Sequence, residues 1–353
     1  MSVAEERCTE RSVYDAPFLR ACRKEESPYT PVWLMRQAGR YQASYRAIRS
    51  KYTMLEMCQL PDEVTKVTLL PVEQFGVDSA ILFSDITIPF IGMNIGFDIV
   101  PGVGPVIEHP VRNMSDVEKF EKFVSEERLP FITQSIQSLK RELKIPLIGF
   151  AGAPFTLAAY LIEGKPSRDF KKVREFFFVQ PEAWDALMNA LVDVTIDYLN
   201  MQAKAGADAL QIFDSWVGAL HPRTYEQYLL PYMKRLFQAV SQNGVPLIHF
   251  GTGTASLLPL MLEAGGDVIG VDWRTPLGKS WEELKYQPAI QGNLDPAVLF
   301  ADRKLIALEA DRVLEEAAGR PGHIFNLGHG VLPGTPEDNV KFLVDYVHEK
   351  SAR

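Results

Sequence analysis

Apolar and polar positions along this 353-residue chain follow two rhythms. Short runs that are apolar almost throughout occur at residues 32–35, 79–85, 146–152, 209–215, 246–251, 268–273, 289–294 and 323–329, and each ends in polar residues on its C-terminal side. These eight runs read as strands buried on both faces. Between them apolar residues recur at helical spacing: residues 15–24, a helix capped by Asp62 and running to residue 74, then 181–205, 222–243, 255–264 and 296–318. Strand and helix alternating throughout predict an α/β protein with a parallel sheet. Eight units predict a single-domain (β/α)8 TIM barrel over residues 14–353, in preference to an open doubly wound sheet of six or seven strands.

The length beyond a minimal barrel falls in two insertions. Residues 88–127 carry Gly92, Gly96, Gly102, Gly104 and several prolines among β-branched residues, which predicts a hairpin or lid. Residues 160–180 form the second. Both follow a strand's C-terminal end, the face on which a barrel builds its active site from loops.

Composition narrows the function classes. An apolar share of 46% suits a globular chain with a sizeable core. The formal net charge of −8, with no basic block to offset it, argues against nucleic acid or an acidic membrane surface as partner, while local arginines can still make one cleft positive. No apolar run approaches the ~18 residues needed to span a bilayer, and the charged first residues lack a secretory apolar core, so a cytoplasmic location is expected. Residues 1–13 are expected to form a flexible extension. Cys8, Cys22 and Cys58 contain no CxxC pair and suit neither a disulfide framework nor a dense metal cage.

The strand ends carry the candidate chemistry: Arg36, Arg40, Asp85, Tyr160 just beyond Pro154, Asp214, Ser215, His249, Asp272, Asn293 and His329. Taken singly, an Asp closing a strand is a helix cap and a lone His a hydrogen-bonded structural residue. In a barrel all of them would converge on one mouth. Familiar motifs fail: Trp273 stands where a phosphate-binding loop ending at Gly278-Lys279-Ser280 requires glycine, and Ser256 stands at the third glycine position of a dinucleotide fingerprint starting at Gly251. No HExxH occurs, and no cysteine lies near a histidine at metal-ligand spacing. Nothing in the motifs calls for a cofactor.

Several stretches together resemble the uroporphyrinogen decarboxylase family: Met-Arg-Gln-Ala-Gly-Arg at 35–40, Phe-Ser-Asp-Ile at 83–86, Gly-Phe-Ala-Gly-Ala-Pro-Phe-Thr at 149–156, Gln-Ile-Phe-Asp-Ser at 211–215, Gln-Gly-Asn-Leu-Asp-Pro at 291–296 and Asn-Leu-Gly-His-Gly at 326–330. The similarity runs in order over effectively the whole chain. It implies a single (β/α)8 barrel, a homodimer with facing clefts, and cofactor-free conversion of uroporphyrinogen III to coproporphyrinogen III in tetrapyrrole (heme) synthesis. It further implies that Arg36, Arg40 and the backbone of Gln37, Ala38 and Gly39 meet substrate carboxylates, that Asp85 faces the pyrrole N–H groups, that Tyr160, Ser215 and His329 complete the contacts, and that Phe150 and Phe213 line the pocket. Asp214 is given a structural role.

The chemistry agrees. A flexible macrocycle with eight carboxylates suits the fixed fork of arginine. Loss of CO2 from a pyrrole acetate needs an electron sink, which protonation of the ring carbon creates, and an anionic Asp85 on the N–H side would stabilise the cation. Arg36 or a water held by His329 would supply the proton. Two rivals remain: a corrinoid or thiol methyltransferase of the same barrel superfamily, disfavoured because no cysteine follows Cys58, and a porphyrin carrier without chemistry, for which a carboxylate at Asp85 brings little benefit.

Overall fold

The computed structural model describes residues 13–353. The extension expected over residues 1–13 therefore lies, Val13 apart, outside the described residues. Among the described residues nine strands follow one another: β1 (Ala80–Ile81), β2 (Phe97–Val100), β3 (Gly104–Ile107), β4 (Leu147–Gly152), β5 (Ala209–Asp214), β6 (Leu247–Gly251), β7 (Val268–Gly270), β8 (Ala289–Leu294) and β9 (His323–Leu327). Seven of them make one all-parallel sheet in the order β1-β4-β5-β6-β7-β8-β9, while β2 and β3 pair antiparallel as the hairpin expected in the first insertion.

Seven strands rather than eight are regular. The expected first strand, residues 32–35, is reduced to one bridge, Val32 to Phe325. The physical reason is where its backbone donors go. Val32 N–H donates to Asp78 Oδ2 at 2.7 Å, Leu34 N–H to Gln37 Oε1 at 3.1 Å and Met35 N–H to Asn326 Oδ1 at 3.1 Å, so side chains replace a ladder. Backbone bonds still run from the segment to both sides: Phe325 N–H to Pro31 O at 2.9 Å, Trp33 N–H to Phe325 O at 3.3 Å, and Asp78 N–H to Val32 O at 2.8 Å. The second expected strand also shortens, to the two residues of β1.

The sheet is curled, and a pair of amides shows it. Gln291 Nε2 on β8 donates to Gln211 Oε1 on β5 at 3.1 Å, although three strand steps of ~4.8 Å each would hold them apart in a flat sheet. Trp33 Nε1 donates to Gln291 Oε1 at 3.0 Å and continues the chain. Around these amides Ile148, Ala209, Ile248, Phe250, Val268, Ala289 and Ile324 form an inner core, which Phe18, Leu19 and Cys22 of the helix Pro17–Cys22 join. Residues of opposite parity, such as Leu210, Ile212, Ile269 and Leu327, face the surrounding helices.

Proline positions move several helix boundaries. Pro61 opens the helix Pro61–Phe75, so Asp62 lies in its first turn beside the helix dipole instead of capping it. The span 222–243 divides into Pro222–Tyr228, Leu230–Val240 and a 3-10 turn Ser241–Asn243, with Pro231 at the break. Pro259 delays the next helix to Leu258–Ala264, and Asp302 caps Arg303–Ala317 after a separate 3-10 segment, Pro296–Phe300. The helix Pro181–Ala205 stands as expected. No helix among the described residues is long and apolar enough to cross a membrane.

Candidate active site

The turn after Met35 places the first cation. Arg36 adopts φ 59°, a left-handed backbone that costs a non-glycine residue ~1–2 kcal/mol and persists only where surroundings impose it. Here Asn326 holds the N–H of Met35, and Gln37 N–H closes a turn onto Leu34 O at 2.9 Å. The stem of Arg36 lies on Gly330, where an added Cβ would meet Arg36 Cδ at 2.4 Å. Arg36 is exposed to the cleft, yet the crowding walls remove enough water to lower its pKa, with Asp85 and Tyr160 pulling the other way and Arg40 adding repulsion. One guanidinium thus senses a carboxylate, a phenol and a second guanidinium from three separate regions of the chain.

Asp85 is half-buried at the end of the short β1 segment. Its Oδ1 accepts from Thr87 N–H at 2.9 Å and from Thr87 Oγ1 at 2.5 Å. The helix-cap geometry is therefore real, but it occupies one oxygen. Oδ2 has no protein donor within hydrogen-bond distance among the described residues and remains available to a ligand.

Tyr160 lies within the helix Pro154–Glu163, so the second insertion begins after residue 163, at Gly164. Burial raises its pKa to about 12, the charge of Asp85 adds to the rise, and the polar edge of the nearby Trp216 and the charge of Arg36 oppose it. Its ring meets Trp216 edge-on at 6.0 Å, and Phe170 covers the same indole at 5.4 Å. Phe150 and Phe213 meet at 5.4 Å edge-to-face, and Phe213 continues to Phe250 at 6.0 Å, making an aromatic wall on β4, β5 and β6. Ser215 follows directly, its carbonyl accepting from Thr252 Oγ1 at 2.7 Å. His329, half-buried beyond β9, has its pKa lowered to about 4 by burial first, then by the charges of Arg36 and Arg274. It is a neutral imidazole at pH 7.

The remaining expected strand-end residues serve the scaffold. His249 points into the helix layer, its Nδ1 3.3 Å from Met261 O and its pKa lowered to about 4 by burial. Asp272 accepts from Arg274 N–H at 2.9 Å, Arg274 Nη1 at 2.7 Å and Gly253 N–H. Asn293 Nδ2 donates to the carbonyls of Asp272 at 2.8 Å and Thr275 at 2.6 Å, pinning the loop after β7. Asp214 is fully buried, bonded to Thr156 Oγ1 at 3.1 Å, with its pKa raised to about 7 by burial. Two of the three backbone N–H groups expected to meet substrate are engaged internally: Gln37 N–H as above and Gly39 N–H with Gln42 Oε1 at 3.1 Å. Ala38 N–H has no such partner among the described residues, and Arg40 is exposed.

Trp216, Trp273 and Arg274 escaped sequence reasoning because their roles depend on what they lie against. An aromatic one or two residues past a strand end was the available signal. A separate groove of about 400 Å³, lined by Asp311, Glu315, Arg320, His323 and Lys350 among others, includes the first residue of β9 and none of the residues above. Among the described residues no group of three or more His, Cys, Asp or Glu is placed to hold a metal ion, and Cys22 and Cys58 are buried thiols whose pKa burial raises.

A curled parallel sheet flanked by helices, with arginines, a carboxylate, a phenol and an imidazole gathered after its strands, defines an α/β protein whose candidate site has the charge to suit an anionic small molecule at the C-terminal strand ends. Residues 14–350 match the uroporphyrinogen decarboxylase family, URO-D, and the chain belongs to it. It is 50% identical to the uroporphyrinogen decarboxylase of Carboxydothermus hydrogenoformans over 337 residues, covering 95% of this chain and 96% of that one. It is 53% identical to that of Thermus thermophilus over 334 residues, covering 95% and 98%. A methyltransferase from Methanosarcina mazei shares the fold, with a TM-score of 0.80 over 95% of this chain and 98% of that one, at 20% identity.

Proposed function

We propose that this protein is a uroporphyrinogen decarboxylase, a carboxy-lyase that removes the four acetate carboxylates of uroporphyrinogen III to give coproporphyrinogen III without a cofactor. The observation that carries the reading is the free Oδ2 of Asp85 in a cleft where Asp85 acts on both Arg36 and Tyr160. Family membership at about half identity supports it. In this reading Arg36 and Arg40 grip carboxylate arms, Phe150 and Phe213 bear on the macrocycle, and Tyr160, Ser215 and His329 orient it. Oδ2 of Asp85 faces the pyrrole N–H groups while Thr87 fixes Oδ1, so the carboxylate is aimed before substrate arrives.

The reaction balances simply. A proton adds to the pyrrole α-carbon next to the carbon bearing the arm, so the arm-bearing carbon shares the ring cation. The C–C bond to the carboxylate breaks, its electron pair forms an exocyclic methylene and neutralises the cation, and CO2 leaves. A second proton then converts the exocyclic methylene to methyl as the ring proton is returned. Asp85 stabilises the cationic stage. The lowered pKa of Arg36 favours it as proton donor, and the neutral His329 suits the alternative, holding a water by hydrogen bond.

The finer architecture belongs to the same proposal. Segment 31–35, bonded to β9 on one side and to Asp78 before β1 on the other, supports a closed eight-membered (β/α)8 barrel in a single domain spanning residues 14–353. A cytoplasmic homodimer fits a biosynthetic enzyme of this family. The test is a chromatogram of products after incubation with uroporphyrinogen under reducing, oxygen-free conditions. Stepwise appearance of hepta- to tetracarboxylate products supports the function, and unchanged octacarboxylate overturns it.

A further inference from the structure

We infer that Arg274, seated on Trp273 at the end of β7, is a third substrate-binding cation that takes a carboxylate arm of the tetrapyrrole beside His329. The inference rests on the proposed function and extends its binding site. It begins with placement. The guanidinium of Arg274 lies 3.8 Å from the centroid of the Trp273 ring, and that indole meets the His329 imidazole edge-on at 5.9 Å. Arg274, Trp273 and His329 therefore form one continuous wall.

The wall is rigid. Asp272 holds both ends of Arg274, accepting from its backbone N–H at 2.9 Å and from Nη1 at 2.7 Å. Asn293 ties the loop on either side of Arg274 through the carbonyls of Asp272 and Thr275. Gly328 packs so closely that a Cβ there would fall 2.1 Å from Trp273 N, which locks the loop against the end of β9. A side chain fixed this thoroughly loses little freedom on binding a ligand.

Neutralising Asp272 does not use up the guanidinium. Asp272 is fully buried, whereas the side chain of Arg274 remains 54% exposed. Nε and Nη2 have no protein acceptor within hydrogen-bond distance among the described residues. An arginine clamped by one edge and one face, with the other edge open beside the substrate-facing histidine, is set to receive a carboxylate bidentately. The demand exists, because a substrate with eight carboxylates exceeds what Arg36 and Arg40 can neutralise. The influence of Arg274 on the titration of His329 is consistent with the two groups facing a shared space.

The experiment uses the full chain with Arg274→Gln and Arg274→Lys, measuring initial rates against uroporphyrinogen concentration at low and high salt, with melting temperature as control. Binding of uroporphyrin, the oxidised octacarboxylate, is followed in parallel by quenching of tryptophan fluorescence. Arg274→Gln is expected to raise KM and the uroporphyrin Kd about tenfold or more, with kcat within about threefold of wild type, as loss of a charged hydrogen bond to an unreacting arm requires. Arg274→Lys should fall between, since an ammonium keeps the charge but neither stacks nor forks. Should the Gln variant melt early, the Lys variant alone decides. Unchanged KM and Kd in the folded variants overturn the subsite, as does a fall in kcat without a rise in KM. Absence of turnover by the wild type refutes the decarboxylase reading instead, and the uroporphyrin titration then decides whether Arg274 binds a polycarboxylate.

Discussion

Gly330→Ala tests whether Arg36 must sit where it does. The added methyl would lie 2.4 Å from Arg36 Cδ, 2.6 Å from Cγ and 3.0 Å from Cβ, against an ordinary contact of 3.4–4 Å. Something must move by about 1 Å. The backbone of Gly330 cannot yield easily, because Val331 N–H next to it donates to Met35 O at 2.8 Å and so ties the two chain segments together. Arg36 is an exposed residue and its flexible side chain moves instead, so the stability cost stays at the low end of the ~1–3 kcal/mol of overpacking. Catalysis has no such latitude, since a misplacement of ~1 Å at a reacting group costs about a hundredfold in rate. The expected result is a melting temperature within a few degrees of wild type with kcat/KM about a hundredfold lower. The assay is anaerobic turnover of uroporphyrinogen, quantified by chromatography, beside thermal denaturation. Wild-type turnover by the folded variant would show that Arg36 tolerates displacement and has no precise task.

Asp85→Asn keeps the Oδ1 contacts to Thr87 and replaces only the free oxygen by a donor that opposes pyrrole N–H groups, so the protein should fold while kcat drops about a hundredfold, or ~3 kcal/mol; turnover within a few-fold of wild type would reduce Asp85 to a cap. Arg36→Lys and Arg40→Lys should each lower kcat/KM despite retained charge, because an ammonium lacks the bidentate fork, and two variants matching wild type would break the assignment to carboxylates. Asp214 has a folded pKa of about 7, above the ordinary carboxylate value near ~3.9, so the native state holds a proton that the unfolded chain releases across that window. Its contribution is complete at low pH and is lost as pH rises to about 7, so Asp214→Asn should be more stable than wild type by up to ~3–4 kcal/mol at pH 8, a difference that shrinks towards pH 4; a pH-independent difference in denaturant titrations would contradict the burial argument.

The order of strands and helices was legible because each apolar run is local, and so was the position of Arg36, Arg40, Asp85 and His329 at the polar ends of those runs, where the structure brings them within electrostatic reach of one another. The expectation for residues 32–35 went too far for a physical reason. Apolar character fixes burial, but whether a buried segment makes a ladder depends on competing acceptors, and here Asp78, Gln37 and Asn326 supply them from distant positions. The same limit separated the strand-end residues. His249 and His329 look alike in sequence, yet β6 turns the first towards Met261, while the loop after β9 holds the second beside Arg36. Asp85 and Asp272 both close apolar runs, but only Asp85 keeps an oxygen free, because Gly253 and Arg274 occupy the second carboxylate. Periodicity along one segment is a property of that segment and survives translation into structure. Which polar atoms remain unpartnered is set by neighbours from elsewhere in the chain, and only the folded arrangement decides it.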